Sequence, residues 1–432
     1  MSSSKLFKIK SFFKILGPGW ITGAADDDPS GIATYSQAGA QFGFGTLWMA
    51  LFQFPLMVVI QEMCARIGLV TGSGLAGIVK KRYSKNILYP IVSLLLIANT
   101  INIGADIGAM SASIKLVFPQ LPIVIVTVFF TVMIICTEIF VPYKKYLSLL
   151  KYLTLSLLAY MVTAFIVGAN WNDILIATVI PHIEFTPAFA MLFVAIFGTT
   201  ISPYLFFWQT SQEAEEDILK NKIKDIGEGK PKIQKKEFRS MKMDNAIGMA
   251  FSQIIMWFII ITTAGTLHIH GLADIATADE AAKALEPLVK TFPHSGELAK
   301  IIFAFGVIGV GLLAIPVLAG SSAYALSEVL GWKQGLSKKF KQAKGFYLII
   351  AASTVIGLWI NFSNVDPIKA LIYAAVINGV ISIPLVVVIM KIANDKKILE
   401  GYTNSKISNI VGWTAVLVIG FSVAIMFLTW IK

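Results

Sequence analysis

The sequence predicts an all-α integral membrane protein, on the strength of its composition and of the recurrence of its apolar runs. Of the 432 residues, 56% are hydrophobic and only 14% are charged, and the mean hydropathy is +0.74. A soluble protein of this length needs a larger charged share to cover its surface. Apolar runs of about 20 residues follow one another along the whole chain, with no polar block long enough to fold alone. These features exclude a soluble multidomain protein and a disordered chain.

About 11 transmembrane helices are expected, because a helix needs roughly 20 apolar residues to cross the hydrocarbon core. The runs are long and lack the two-residue alternation of a barrel wall, so the spans are helices and not strands. The predicted spans lie at approximately 16–41, 46–70, 88–117, 121–142, 148–169, 187–211, 245–267, 299–328, 346–362, 368–393 and 409–431. Every second loop between them is rich in Lys and Arg. By the positive-inside rule the N-terminus is cytoplasmic and the C-terminus extracellular, in a multi-pass protein of the cell membrane.

The basic residues give the chain a net charge of +11. They lie in short loops rather than in a patch with interleaved aromatic residues, so no nucleic-acid partner is expected. Residues 1–15 are basic and have no small-residue cleavage site, which predicts a retained cytoplasmic arm. The mixed-charge segment 212–242 is interpreted as a solvated cytoplasmic helix and loop. The segment 268–297 is interpreted as a short amphipathic cap over the extracellular mouth.

An unusual polar run interrupts the first span about halfway across. An ionisable side chain is costly in hydrocarbon, so such a group near the midplane is a functional candidate. Proline removes a backbone donor and Gly31 relaxes the backbone, so the helix is expected to break here and to free carbonyl groups. Adjacent like charges repel one another, and a bound divalent cation would remove that penalty. The run reads Ala25-Asp26-Asp27-Asp28-Pro29-Ser30-Gly31.

The sixth span contains a matching interruption, in which a Gly and a Pro bracket small hydroxyl residues. Spans 1 and 6 are five helices apart, so the second copy enters from the opposite side of the membrane. This pattern is typical of an inverted repeat of five plus five helices whose two discontinuous helices meet at the midplane. We therefore predict a single transporter domain over 16–432, with repeat 1 at about 16–170, repeat 2 at about 187–395 and an extra helix at about 409–431. The interruption reads Phe197-Gly198-Thr199-Thr200-Ile201-Ser202-Pro203-Tyr204.

Oxygen atoms dominate both interruptions: carboxylates, hydroxyls and freed carbonyls. No His, Cys or Met lies in either of them. Oxygen-only sites suit Mg²⁺, Ca²⁺ or Mn²⁺ rather than softer metals. Asn378 in span 10 is the polar residue outside the interruptions most expected to reach the site, and an interhelical hydrogen bond explains it equally well. The same two interpretations remain open for Thr34 and Gln37.

Several motifs resemble those of the NRAMP divalent metal transporters, mainly in spans 1 to 3 and 6. The resemblance implies a LeuT-like fold, in agreement with the inverted repeat, and transport of divalent metal ions. The matching motifs are Gly17-Pro18-Gly19, Asp28-Pro29-Ser30-Gly31-Ile32-Ala33-Thr34, Gln37-Ala38-Gly39-Ala40, and Gln61 with Ala65-Arg66-Ile67-Gly68-Leu69-Val70-Thr71-Gly72.

The chain also departs from the family pattern. Gly31 stands where the family has a metal-binding Asn, and the loss of that side chain is expected to enlarge the site and leave room for retained water. Ser202 and Tyr204 replace the thioether and the proton-linked His of the sixth helix. In the third helix, Asn102 and Ala105 occupy the family's acidic positions, although Asp106 is one residue away. Loss of the thioether removes the preference for transition metals, and loss of the acids and the His makes proton coupling doubtful. The combination resembles the NRAMP-related magnesium transporters, which implies Mg²⁺ and Mn²⁺ transport without protons.

The resulting prediction is a transporter and not an enzyme, with the divalent ion as cargo, no cofactor and no obligate protein partner. Two alternatives remain. A proton-coupled Mn²⁺/Fe²⁺ symporter would need Asp106 or one of the three aspartates as its proton carrier. A sodium-coupled symporter for an organic solute would meet repulsion between those aspartates and a substrate carboxylate. The predicted metal ligands are Asp28, Gly31, Thr199 and Ser202, and a second group near the metal or on its pathway comprises Asp26, Asp27, Thr200, Tyr204, Asn102 and Asn378.

Overall fold

The structure, a computed structural model, describes residues 17–141, 157–291, 294–362 and 365–430. These residues form helices and no β-strand. The predicted arm 1–15 lies outside the described residues. So do residues 142–156, which contain the loop before predicted span 5 and the first part of that span. The first half of the chain contains α1 (Pro18–Asp26), α2 (Pro29–Phe42), α3 (Trp48–Thr71), α4 (Leu75–Arg82), α5 (Lys85–Val117), α6 (Ile123–Phe140), α7 (Leu158–Ile166), α8 (Trp171–Val179), α9 (Pro187–Thr200) and α10 (Pro203–Leu219).

The second half is built in the same way, from long helices joined by shorter ones. It contains α11 (Lys235–Thr266), α12 (Ala278–Lys283), α13 (Glu286–Val289), α14 (Ser295–Leu330), α15 (Lys344–Ile360), α16 (Pro367–Asn394), α17 (Lys396–Leu399) and α18 (Lys406–Trp430). Within the described residues, 8 helical stretches are long and apolar enough to cross a membrane, and α15 is a shorter apolar helix. The exact number of spans, predicted as about 11, therefore stays a prediction.

The first and sixth predicted spans are both broken, as the sequence indicated. Span 1 consists of α1 and α2, and span 6 consists of α9 and α10. The two broken helices lie at the centre of the bundle, with α5, α11, α14 and α16 packed around them. Glycine allows the closest approaches: a Cβ at Gly23 in α1 would collide with Gly248 in α11, and one at Gly198 in α9 would collide with Ala375 in α16. Small residues at such crossings are a common basis of helix packing in membranes.

Two loop interpretations need correction. The start of α11 is Lys235, ten residues before the predicted span, because Gln234 and Glu237 form a capping box there. The expectation that the whole segment 212–242 is solvated is wrong for its first part. Within α10, Glu215 is buried and accepts hydrogen bonds from Tyr324 Oη at 2.8 Å and from the Ser337 amide at 3.3 Å. Glu215 is thus hydrogen-bonded by elements that lie more than 100 residues away in the chain, which the local sequence does not reveal.

The short helix α8 was not expected. It begins after Asn170, whose side chain accepts a hydrogen bond from the Asn172 amide. It is attached to the bundle through Trp257 of α11, whose indole nitrogen donates to Thr178 Oγ1 at 2.8 Å. Three of its apolar residues, Leu175, Ile176 and Val179, are exposed, whereas Ile174 is buried. An apolar helix of 9 residues is too short to cross a bilayer, so a search for long runs passes over it.

Candidate functional site

The break in the first span is centred on Asp28, which is the N-cap residue of α2. The preceding helix ends at Asp26, and Pro29 occupies the first turn of α2, where a missing backbone N–H costs nothing. The Oδ1 atom of Asp28 accepts hydrogen bonds from the Gly31 amide at 2.7 Å and from Ser30 Oγ at 2.6 Å. The run that breaks the helix therefore also fixes the orientation of its own carboxylate.

The second oxygen of Asp28 faces other helices. Its Oδ2 accepts a hydrogen bond from Asn102 Nδ2 at 3.0 Å and is contacted by Tyr204 Oη at 3.4 Å. Asp28 is 1% exposed. A carboxylate has about four acceptor positions; Ser30 and Gly31 take up those of Oδ1, whereas Oδ2 receives one hydrogen bond and one longer contact. Every one of these partners is an oxygen or a nitrogen atom.

The break in the sixth span is held mostly by its own backbone. The chain leaves α9 at Thr200 and enters α10 at Pro203, with Ser202 in an extended conformation between them. Ser202 Oγ contacts the Gly198 carbonyl and donates to the Thr199 carbonyl at 2.8 Å. Thr200 Oγ1 is 3.0 Å from the Ile196 carbonyl and 3.1 Å from Gln53 Oε1. The carbonyls freed by this break are thus occupied by hydroxyl groups one turn away.

Two tyrosines join the breaks. Tyr204 Oη lies 2.9 Å from the Ala25 carbonyl and 3.4 Å from Asp28 Oδ2. Its single hydrogen serves one acceptor at a time, and the shorter contact is the one to Ala25. Tyr35 Oη accepts a hydrogen bond from Thr199 Oγ1 at 3.0 Å. The structure therefore brings Asp28, Thr199 and Tyr204 together across the two broken helices.

Asp26 and Asp27 face a different neighbour from Asp28. Ser252 Oγ on α11 donates to Asp26 Oδ2 at 2.5 Å and lies 3.4 Å from Asp27 Oδ1. The remaining oxygens, Asp26 Oδ1 and Asp27 Oδ2, are buried without a hydrogen-bond partner. Across the part of the chain that the structure describes, no three His, Cys, Asp or Glu side chains form a group able to hold a metal ion. Adjacency in sequence thus does not make the three carboxylates one cluster.

Gly31 occupies a tighter place than the sequence suggested. A Cβ there would lie 3.2 Å from the Asp26 carbonyl and 3.3 Å from Cε2 of Tyr35. A larger side chain would therefore press against the Tyr35 ring and the Asp26 carbonyl. The expectation that glycine at this position leaves room for retained water stays a prediction, because these contacts concern the Cβ position only.

The remaining predicted residues lie near the centre with varied partners. Asn102 contacts Asp28 directly, as described above. Both side-chain polar atoms of Asn378 are buried without a hydrogen-bond partner, as is Thr34 Oγ1. Gln37 instead contacts the segment after α11: it donates to the Ala273 carbonyl at 3.0 Å and accepts from the Ile275 amide at 2.9 Å. That contact gives the predicted cap segment an anchor on α2.

Both ends of the first broken helix are tied down. At the end where the described chain begins, the amides of Gly17 and Gly19 donate to Asp244 of α11 at 2.8 Å each. Thr22 contacts Gln209 of α10 nearby. At the other end, Gln37 holds the cap segment. Both ends of the first broken helix are therefore held by hydrogen bonds to distant parts of the chain.

Ser30, Tyr35 and Ser252 contact the site but were missed as site residues. Ser30 had a local signal, because Asp-Pro-Ser is a typical start of a helix, with the Asp as its cap. Tyr35 and Ser252 had none, since their contacts depend on which helices pack together.

Comparison with known proteins agrees with this architecture. The profile of a family described as "Natural resistance-associated macrophage protein-like" (Nramp) matches residues 19–429. A protein of Caldanaerobacter subterraneus subsp. tengcongensis named "Divalent metal cation transporter MntH" is 24% identical over 415 residues, covering 94% of this chain and 90% of that protein.

Solved structures match over nearly the whole chain as well. The Eremococcus coleocola manganese transporter, in complex with an aromatic bis-isothiourea compound, gives a TM-score of 0.73 at 15% identity, covering 95% of this chain and 86% of that one. MhsT in complex with L-phenylalanine gives 0.59 at 12% identity, covering 95% and 98%. At such identities the likeness speaks for the fold alone, and it confirms the LeuT-like fold with discontinuous first and sixth helices. With broken helices where the motifs predict them and a family match over almost its full length, this multi-pass membrane protein belongs to the Nramp family.

Proposed function

We propose that the protein carries divalent metal cations, Mg²⁺ and Mn²⁺, across the cell membrane by alternating access and without proton coupling. The observation that carries the proposal is the buried carboxylate of Asp28 at the point where the two helix breaks meet. Its surroundings contain hard oxygen ligands, which suit these two ions. The basic loops favour an N-terminus in the cytoplasm and a C-terminus outside.

The cation would bind by exchange of hydrogen bonds at Asp28. The contact from Tyr204 at 3.4 Å is the longest of the four on this carboxylate. A cation that approaches Oδ2 takes the place of this contact and leaves the Ser30 and Gly31 bonds in place. Few protein atoms then touch the ion, so it retains several of its waters, which Mg²⁺ in particular gives up reluctantly.

The proposed selectivity for Mg²⁺ and Mn²⁺ over softer metals depends on the side chain at the sixth-span break. Ser202 stands where the resemblance places a thioether, and a hydroxyl oxygen offers no advantage to a soft transition metal. The relative named above as a divalent metal cation transporter supports a divalent cargo. The choice of Mg²⁺ rests on the oxygen ligands of this chain.

A second candidate function is proton-coupled uptake of Mn²⁺ or Fe²⁺. It is favoured by Asp106 on α5, a buried carboxylate whose two oxygens have no hydrogen-bond partner. A sodium-coupled organic symporter is disfavoured. Although MhsT holds an amino acid on this fold, the aspartates at the break would repel a substrate carboxylate.

Reconstitution distinguishes these functions. The purified protein is placed in liposomes, and entry of Mg²⁺ and of Mn²⁺ is followed beside an internal pH dye. Uptake of both ions without acidification is expected. Acidification driven by the metal gradient would overturn the uncoupled mechanism, and uptake of Mn²⁺ but not Mg²⁺ would overturn the proposed cargo.

The site is tested in the same assay. Asp28→Ala is expected to abolish uptake. Glu138→Gln serves as the matched control, because Glu138 on α6 is also buried without a hydrogen-bond partner but lies two residues from the end of its helix. Normal uptake by Asp28→Ala would overturn the site assignment.

A further inference from the structure

One face of α5 presents a row of residues to the break in the first span. Asn102, Asp106 and Met110 follow one another at intervals of four residues, so they lie on the same face of the helix. All three are buried with 0% exposure. The first member of the row, Asn102, donates to Asp28 at 3.0 Å.

The last member of the row lies close to the same break. Met110 and Pro29 meet at Gly311 of α14, where a Cβ would lie 2.5 Å from Met110 Sδ and 3.5 Å from Pro29 Cγ. Asp106 therefore sits between two residues that both approach the break, one turn from each.

Three oxygen atoms on this face of α5 are hydrogen-bond acceptors that have no donor in contact with them. Neither carboxylate oxygen of Asp106 has a hydrogen-bond partner, and neither has the side-chain oxygen of Asn102. The amide nitrogen of Asn102 is already used by Asp28. Three unpartnered acceptor atoms in a buried place are costly. A bound group that satisfies these acceptors must supply either positive charge or a hydrogen-bond donor. A metal cation supplies positive charge, so no donor from the protein is needed.

Asp106 differs in this respect from Asp26 and Asp27. Each of those two carboxylates has one oxygen within reach of Ser252, whereas Asp106 has no such neighbour among the described residues. Buried carboxylates of structural type are normally hydrogen-bonded. A buried carboxylate without a hydrogen-bond partner also occurs at Glu138 on α6, but Asp106 shares its helix face with Asn102, which is bonded to Asp28.

We propose that Asp106 is a direct ligand of the transported cation, opposite Asp28, and that Asn102 Oδ1 supplies a further oxygen. The inference rests on the proposed function and extends it by a second carboxylate. Two carboxylates balance the charge of a divalent ion, which a single one does not. The cation is then held between the first broken helix and α5, with Asn102 in contact with both Asp28 and the ion.

The first test is direct binding of Mn²⁺ and Mg²⁺ to the purified protein by calorimetry. Asp106→Asn, which keeps the shape and removes the charge, is expected to weaken Mn²⁺ binding by at least about tenfold. Glu138→Gln, which removes an equally buried and unpartnered carboxylate elsewhere, is expected to bind as the parent protein does. Unchanged Mn²⁺ affinity in Asp106→Asn would overturn the proposal, even where Asp28→Ala abolishes transport and the proposed function stands.

The second test is a gain of affinity that a structural role would not produce. Asp106→Cys places a soft ligand at the position and is expected to raise Cd²⁺ affinity relative to Mg²⁺ by about tenfold or more. Glu138→Cys is the control and should leave that ratio unchanged. An unchanged ratio in a folded Asp106→Cys protein would contradict direct ligation. If Asp106→Asn retains Mn²⁺ affinity but loses a dependence on Na⁺ or on pH, the side chain serves a coupled ion and the proposal is wrong.

Discussion

The two helix breaks differ in how their polar atoms are satisfied. At the first break, Asp28 takes its hydrogen bonds from two residues of its own turn and from two other helices, and the neighbouring aspartates retain unpartnered oxygens. At the sixth-span break, Thr199, Thr200 and Ser202 all contact carbonyls of α9, the helix that ends there. The first break therefore contains the charged carboxylates, and the second break faces them with uncharged side chains. The following predictions test this division, from the largest effect to the smallest.

Loss of the Asp28 charge should have the largest effect. Asp28→Asn keeps the side-chain shape but removes the negative charge, and uptake of Mn²⁺ and Mg²⁺ in liposomes should fall by about 100-fold or more, because loss of one partner of a buried ionic contact costs roughly 3–5 kcal/mol. Thr199→Val, a change at the other break, should reduce uptake far less. Equal losses in the two variants would contradict the division between a charged and a neutral break.

Tyr204 links the breaks and should come second. Tyr204→Phe removes the hydroxyl that contacts the Ala25 carbonyl and Asp28. A buried carbonyl that loses its donor costs about 1–3 kcal/mol, so initial uptake rates should fall roughly tenfold. Tyr35→Phe is a matched control, because Thr199 still has the Ile196 carbonyl as an acceptor. A normal rate in Tyr204→Phe would mean that the link between the breaks does not matter for transport.

A thioether at the neutral break should change selectivity more than rate. Ser202→Met is expected to raise Cd²⁺ uptake relative to Mg²⁺ by about tenfold, because a soft sulfur favours soft metals. The measurement is competition between the two ions in the liposome assay, with Ser202→Ala as the control for loss of the hydroxyl. No change in the Cd²⁺ to Mg²⁺ ratio would mean that Ser202 does not face the ion.

The smallest effects should appear in stability. Ser252→Ala removes the hydroxyl that donates to Asp26 and lies near Asp27, and it should destabilise the protein by about 1–3 kcal/mol, since the buried Asp26 carboxylate loses its donor. Thr200→Val should cost less, because the Ile196 carbonyl that loses its hydroxyl still accepts a helical hydrogen bond. Thermal unfolding in detergent provides the comparison. A greater loss of stability in Thr200→Val would reverse the division between the breaks.

How far the sequence predicts the site depends on the range of each contact. The break at Asp28 follows from Pro29, whose missing N–H is a property of one residue, and Asp-Pro also encodes the cap. The close packing at Gly31 was not foreseen: the ring of Tyr35, one turn away on the same helix, lies against the position that a Cβ would take. The orientation of Asp26 and Asp27 toward Ser252 was not foreseen, since that serine is more than 200 residues away in the chain.

The sequence by itself determined the membrane class, the approximate helices, the two breaks and Asp28 as their charged centre. These features depend on composition and on local backbone chemistry, and both are properties of a short segment of sequence. The tertiary structure decided which atoms surround that centre. Helix packing brought Asn102 and Tyr204 to Asp28, turned Asp26 and Asp27 toward α11, buried the acidic end of α10 and left Asp106 facing the break without a partner. Such contacts depend on which faces of distant helices meet, and the periodicity of a single helix does not specify its neighbour.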